Sequence, residues 1–378
     1  MDFTFTEEQR AAAEAAKGVF ASVAPDAVTS PTLAPGAVAE GWDTPLWTRL
    51  AKADLLGLPL RAPHGSGLDT IALCLVLRES SRVLARVPLL ENSAAAVAVQ
   101  RHAPSDPGDD LLQRVARGES VLTVASHGRT GHEPAELAVS ARRNGARWVL
   151  DGIQTAVPWA FDADVVLVPA CAEDGRPVVA LVDREQPGIE LVEQVSTSGE
   201  RLGELRLRST EIATRDMLTG EGVWDDLRDL LTIGTCALAL GLGERVLRMT
   251  GEYTGEREQF GHPLATFQAV AMQAADRYID LRAMEVTLWQ AAWRLDSATD
   301  GPLPTRADVA VAKIWAAEGV RRVVQTAQHL HGGFGADVDC VLHRYHAWAK
   351  HLELALGPSS AHEEVLGDLL AAHPMAIN

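Results

Sequence analysis

The feature that most constrains this chain is a double change in the period of its apolar residues. Up to about residue 118 the spacing is helical, from Ser120 to about Met217 it becomes short and alternating, and from Val223 it returns to steps of three and four. Thr6, followed by Glu7, Glu8 and Gln9, predicts an N-cap with acidic and polar residues in the first turn, leading an alanine-rich helix to about Val23. The stretch from Pro25 to Gly41, with Pro31, Pro35 and Gly36, reads as a loop. Helix is expected again from Trp47 to Leu56, then a break at Pro63 to Gly67, then helix from Asp69 to Val83. In the middle region Val121 to Ala125 is β-prone, Asn144-Gly145 signals a two-residue hairpin, and Glu173-Asp174-Gly175 separates two further strands. A small β-barrel or sandwich is expected there.

In the last region Phe267, Val270, Ala274, Tyr278, Leu281, Leu288, Ala292 and Leu295 form one stripe along a long helix, expected to be core. Thr305 with Asp308 resembles a capping box for the next helix. A chain of 378 residues accommodates two or three domains. The period changes set them at 1–118 (helical), 119–217 (β) and 218–378 (a helical bundle), an α+β multi-domain class.

A net charge of −17 and a pI near 5.1 argue against a nucleic-acid partner, which needs a basic face, but leave room for a small anion held by a few local cations. Cys74, Cys171, Cys236 and Cys340 are scattered, without Cys-x-x-Cys pairs or histidines at zinc spacing, so they read as reduced packing residues and no metal is expected. The N-terminus lacks a basic and apolar leader, and no uninterrupted apolar run reaches about 18 residues. A soluble cytoplasmic protein, away from membranes, is the expectation.

Two segments carry a family resemblance. Tyr253-Thr254-Gly255-Glu256-Arg257-Glu258-Gln259-Phe260-Gly261-His262-Pro263-Leu264, with Phe267-Gln268-Ala269-Val270, and the turn His331-Gly332-Gly333-Phe334-Gly335 followed by Arg344-Tyr345 resemble the signatures of acyl-CoA dehydrogenases. The resemblance implies the acyl-CoA dehydrogenase fold: an N-terminal helical domain, a middle β-barrel and a C-terminal four-helix bundle. It also implies α,β-dehydrogenation of an acyl-CoA thioester, with a carboxylate removing the α-proton and FAD taking the hydride. In that family the FAD lies across a subunit interface, and a neighbour supplies an arginine, a phenylalanine and the glycine turn. The corresponding residues here are Arg257, Phe260, Gln268, His329, Gly332 and Gly333. Arg257 offers donors suited to a pyrophosphate, with an ion pair to Glu256 or Glu258 as the alternative. Gln268 is either a cofactor contact or a helix-surface residue, and His329 stands where the family commonly has glutamine.

The departures are as specific as the matches. Aligning through Arg344 and Ala349-Lys350 places Leu356-Gly357-Pro358 on the family's Glu-Gly-Thr, so leucine occupies the position of the base. The alternative base position of some members falls on Leu231, with Asp229 two residues away and roughly 200° around a helix. Glu353, three residues before Leu356, faces the same side only if that segment is helical. Asp229 and Glu353 are the remaining candidates for a base, with solvated helix charges as the alternative. Two segments that should wrap the flavin read Thr123 to Gly131, without the expected Thr-Glu-Pro, and Gly152 to Trp159, where Pro158 removes a backbone donor.

This pattern resembles the non-catalytic subunit of actinobacterial α2β2 acyl-CoA dehydrogenases of steroid side-chain degradation. It implies a homologous catalytic partner that binds most of the acyl-CoA and shares its FAD with this chain. A homotetrameric oxidase or monooxygenase with a displaced base, and a non-enzymatic scaffold, are the competing readings.

Overall fold

The computed structural model of the chain describes residues 4–25, 36–39, 41–103, 105–127, 137–297 and 301–374. Much of the expected proline-rich loop, and Gly128 to Gly131 of the first flavin segment, lie outside them. Five helices come first: α1 (Glu7–Phe20), α2 (Thr44–Lys52), α3 (Thr70–Arg82), α4 (Leu89–His102) and α5 (Ser105–Ala116). Side chains that accept from otherwise unpaired N–H groups fix the starts of the first three. Thr6 and Gln9 form a reciprocal capping box at 3.2 and 2.8 Å. Asp43 accepts from Leu46 and Asp69 from Ala72, each at 2.9 Å.

The middle strands are β1 (Leu122–Val124), β2 (Val139–Asn144), β3 (Arg147–Pro158), β4 (Val165–Ala172), β5 (Pro177–Asp183), β6 (Ile189–Val195), β7 (Arg201–Ala213) and β8 (Met217–Leu218). They join in one eight-stranded sheet of order β6-β7-β3-β2-β4-β5-β8, with β1 on β4. Both β1 and β2 run parallel to β4, pairings that local hairpin signals do not encode. The first hairpin forms one residue later than expected: Asn144 pairs with Arg147, so Gly145 and Ala146 make the turn.

The chain then returns to helix: α6 (Val223–Glu256), a two-stranded excursion of β9 (Glu258–Gln259) and β10 (His262–Pro263), α7 (Gln268–Asp296), α8 (Thr305–His331), α9 (Leu342–Leu354) and α10 (Ser359–Ala372). The N-terminal and C-terminal helices share one apolar core, while the sheet has its own. An 18-residue window of α6 reaches a mean hydropathy of 1.5, apolar enough to cross a membrane, but 78% of it is buried within the bundle.

Two expectations need correction. The α7 stripe is core only in its second half, where Leu281, Leu288 and Ala292 are buried, whereas Tyr278 is 59% exposed and the neighbouring Met272 and Ile279 are also open. Helical spacing identifies an apolar face, not what covers it. Thr305 does not cap α8, because Pro304 is the N-cap residue and the Asp308 carboxylate accepts from Arg294 Nε at 3.0 Å.

Candidate functional site

One end of the bundle brings together the C-terminus of α6, the N-terminus of α7 and the C-terminus of α8. Tyr253, one turn before Arg257 on α6, stacks on His331 of α8, tying the two segments that carry the family resemblance to each other. Arg257 is exposed, and among the described residues its guanidinium has neither an ion pair nor a hydrogen bond, so the alternative pairing with Glu256 or Glu258 is not formed. Phe260 is 91% exposed with φ +54°, a left-handed conformation that costs a non-glycine residue of order 1–3 kcal/mol. Gln268 opens α7, exposed and without a side-chain hydrogen bond among the described residues. His329 Nδ1 lies 3.1 Å from Gln273 Oε1, so that nitrogen is already engaged. Gly332 turns the chain out of α8 at φ +61° and ψ −144°, a conformation open to glycine, and Gly333 faces open space. A free guanidinium, an exposed ring and bare backbone fit the phosphate and nucleoside part of FAD.

The expected base position lies far from this edge. Lys313, fully buried on α8, donates to the carbonyls of Leu352 and Glu353 at 2.9 and 3.0 Å and so caps the C-terminus of α9. Burial pulls its pKa down to about 8. Lys313 stands sixteen residues before His329, about 24 Å along α8. Beyond the cap, Leu356 is 4% exposed with φ +58°, and its carbonyl accepts from His362 Nε2 at 2.9 Å. Because α9 ends at Leu354, Glu353 does not share a helical face with Leu356, and its carboxylate pairs with Lys350 at 2.6 Å. Asp229 is not a solvated charge: burial pushes its pKa up to about 6, and it sits 3.6 Å from Arg228. Leu231 points into the core.

The two altered sheet segments bond to each other. Thr123 Oγ1 donates to the Pro158 carbonyl at 2.7 Å, and His127 Nδ1 donates to the Ala156 carbonyl at 3.1 Å. The β3–β7 register shifts between Gln154 and Val157, and both Ala156 and Trp159 adopt positive φ beside this bulge. The bend turns Trp159 toward α4, where its Nε1 donates to Glu91 Oε2 at 3.2 Å.

Trp159, Glu91 and His351 then border a mainly apolar cavity of about 80 Å³, walled by Leu77, Leu89, Leu238 and Trp348. A cavity of about 150 Å³ is what admits a benzene ring in an engineered core. This one is smaller. Burial pushes the Glu91 carboxyl up to about 7 and the His351 imidazole down to about 4, so this setting disfavours charge on both, while Glu200 and Arg201 line the same cavity.

The chain matches the family descriptions "Acyl-CoA dehydrogenase, N-terminal domain" over residues 6–119 and "Acyl-CoA dehydrogenase, C-terminal domain" over residues 231–371. It is 36% identical to the acyl-CoA dehydrogenase FadE27 of Mycobacterium tuberculosis (strain ATCC 25618 / H37Rv), over 99% of this chain and 100% of the relative. This chain belongs to the acyl-CoA dehydrogenase family. Among solved structures it is similar to the ChsE4-ChsE5 complex from Mycobacterium tuberculosis (TM-score 0.88, 35% identity, 99% of this chain and 100% of that one). It is also similar to a variant of the Tcur3481-Tcur3483 steroid ACAD (TM-score 0.87, 37% identity, 97% and 98%).

Arg344 and Tyr345, which carry part of the family resemblance, are buried ties within the chain. Arg344 donates to the Ser198 carbonyl at 2.9 Å and Tyr345 to the Arg82 carbonyl at 2.7 Å, fixing α9 against the sheet and α3. Glu91, Lys313 and His351 escape a reading of the sequence, because what surrounds each comes from distant segments.

Proposed function

We propose that this chain is the base-lacking subunit of a heteromeric, FAD-dependent acyl-CoA dehydrogenase of the α2β2 type. Arg257, Phe260 and the Gly332-Gly333 turn serve a cofactor whose flavin ring is held by a homologous catalytic subunit. A flavin held there would supply hydride acceptance for the α,β-dehydrogenation of an acyl-CoA, with the α-proton removed by a carboxylate of the partner.

The separation of the two half-sites supports this reading most directly. His329 at the exposed cofactor edge and Lys313, which caps α9 before the Leu356 corner, are about 24 Å apart along α8, and the two places belong to different cofactor positions. At the first, the side chains of Arg257 and Gln268 have no partners among the described residues; the second has an apolar side chain, a small apolar cavity and sheet segments tied to each other through Thr123 and His127. The open face of α7, with Met272, Tyr278 and Ile279, is the kind of apolar surface a stable subunit contact covers. Relatives solved as two-protein assemblies support a partner of the same family, and the steroid ACAD among them supports a steroid side-chain CoA as the acyl class.

The test is to purify the chain alone and together with its homologous partner. The reading predicts no dehydrogenase turnover from the chain alone and turnover from the pair. Full activity from this chain in isolation would sink it.

A further inference from the structure

The cofactor edge contains one aromatic side chain that the family pattern does not require. Phe334 follows the two glycines of the turn and is 54% exposed. Its ring lies nearly parallel to Tyr253, with centroids 5.8 Å apart and planes at 11°. Tyr253 in turn stacks on the buried His331 at 4.3 Å and 17°. The imidazole of His331 is itself fixed, because Nδ1 donates to the Ala327 carbonyl at 2.8 Å. Gly335 brings the turn so close to α8 that a Cβ there would lie 2.8 Å from His331 Cβ. Phe334 is therefore a ring held in place from behind and open in front.

Its surroundings define what such a ring recognises. The backbone N–H of Arg257 donates to the Tyr253 carbonyl at 2.8 Å, so the unpaired guanidinium and the ring stack belong to the same turn of chain. Gly332 and Gly333, just before Phe334, leave open space in which a ligand can approach the backbone. A cation for phosphate near a planar apolar face is the chemistry of a nucleotide.

We propose that Phe334 is the platform on which the adenine of the partner-held FAD stacks. This rests on the reading that the chain serves a neighbour's cofactor, and adds the residue that grips the base. Phe334 is then a binding residue for the far end of the cofactor and takes no part in proton or hydride movement.

The experiment uses the co-purified complex, stripped of flavin and titrated with FAD, in four forms: unchanged, Phe334→Leu, Phe334→Trp and Arg257→Ala. Base–aromatic stacking implies FAD binding roughly five- to a hundredfold weaker in Phe334→Leu, with the tetramer intact by size-exclusion chromatography. Phe334→Trp keeps an aromatic face and should bind close to the unchanged complex. Normal affinity in Phe334→Leu, equal losses in the Leu and Trp variants, or dissociation of the Leu variant into smaller species would each overturn the proposal; the last would make Phe334 a protein contact. Weaker binding in Arg257→Ala with normal binding in Phe334→Leu removes the platform but leaves the parent reading. Normal binding in both removes the parent reading as well.

Discussion

The imidazole of His362 donates from Nε2 to the carbonyl of Leu356 at 2.9 Å, locking a corner in which Leu356 sits in left-handed backbone and points into the core. The position aligned with the family's base is thus a packed structural element. Leu356→Glu places a carboxyl in that apolar setting and should lower stability by about 2–4 kcal/mol in urea unfolding. It should not create turnover, because the sheet segments beside it remain stitched together. Added acyl-CoA oxidation per complex would contradict this.

Lys313 gives a second test of the same corner. Exchange for Met leaves the Leu352 and Glu353 carbonyls without their donor and should cost about 2 kcal/mol. Because burial lowers the folded-state pKa of Lys313 to about 8 from 10.5, the unfolded chain binds the extra proton between those values. The stability lead of the unchanged protein over Lys313→Met should therefore widen as pH rises from 8 toward 10.5. A lead that stays constant over that range removes Lys313 as a buried titrating group.

Glu91 has the opposite sign. Its pKa, raised from 4.5 to about 7, means that the folded protein keeps a proton that the unfolded chain loses, so its contribution to stability is full below pH 4.5 and fades as pH rises to 7. Glu91→Gln lacks this loss, and its stability relative to the unchanged protein should improve by about 2–3 kcal/mol across that window. Parallel pH profiles for the two proteins would show that Glu91 does not titrate there.

Much of the architecture is legible in the sequence, since the changes of period and the Thr6 cap are local signals. What is not legible depends on partners distant in the chain. Tyr278 looks like core because an apolar helix face is written identically whether it packs inside one chain or against another. Asp308 looks like a cap until Arg294 claims it. The candidate cofactor edge follows from Arg257, Phe260 and the glycine turn, all within recognisable segments. The apolar cavity does not, because Glu91, Trp159 and His351 come from three separate elements.

Asp229 should be dispensable for chemistry. Its neighbour Arg228 and its place on α6, about 40 Å along the helix from Arg257, separate it from the cofactor edge. Asp229→Asn should leave the turnover of the complex unchanged within twofold, as measured by acyl-CoA-dependent dye reduction. Abolished turnover would restore it as a base.

The central claim is that this chain serves a neighbour's flavin and holds none of its own. The flavin content of the co-purified α2β2 complex, counted by absorbance after denaturation against protein concentration, tests that directly. Two FAD per tetramer is the predicted result. Four would contradict the account.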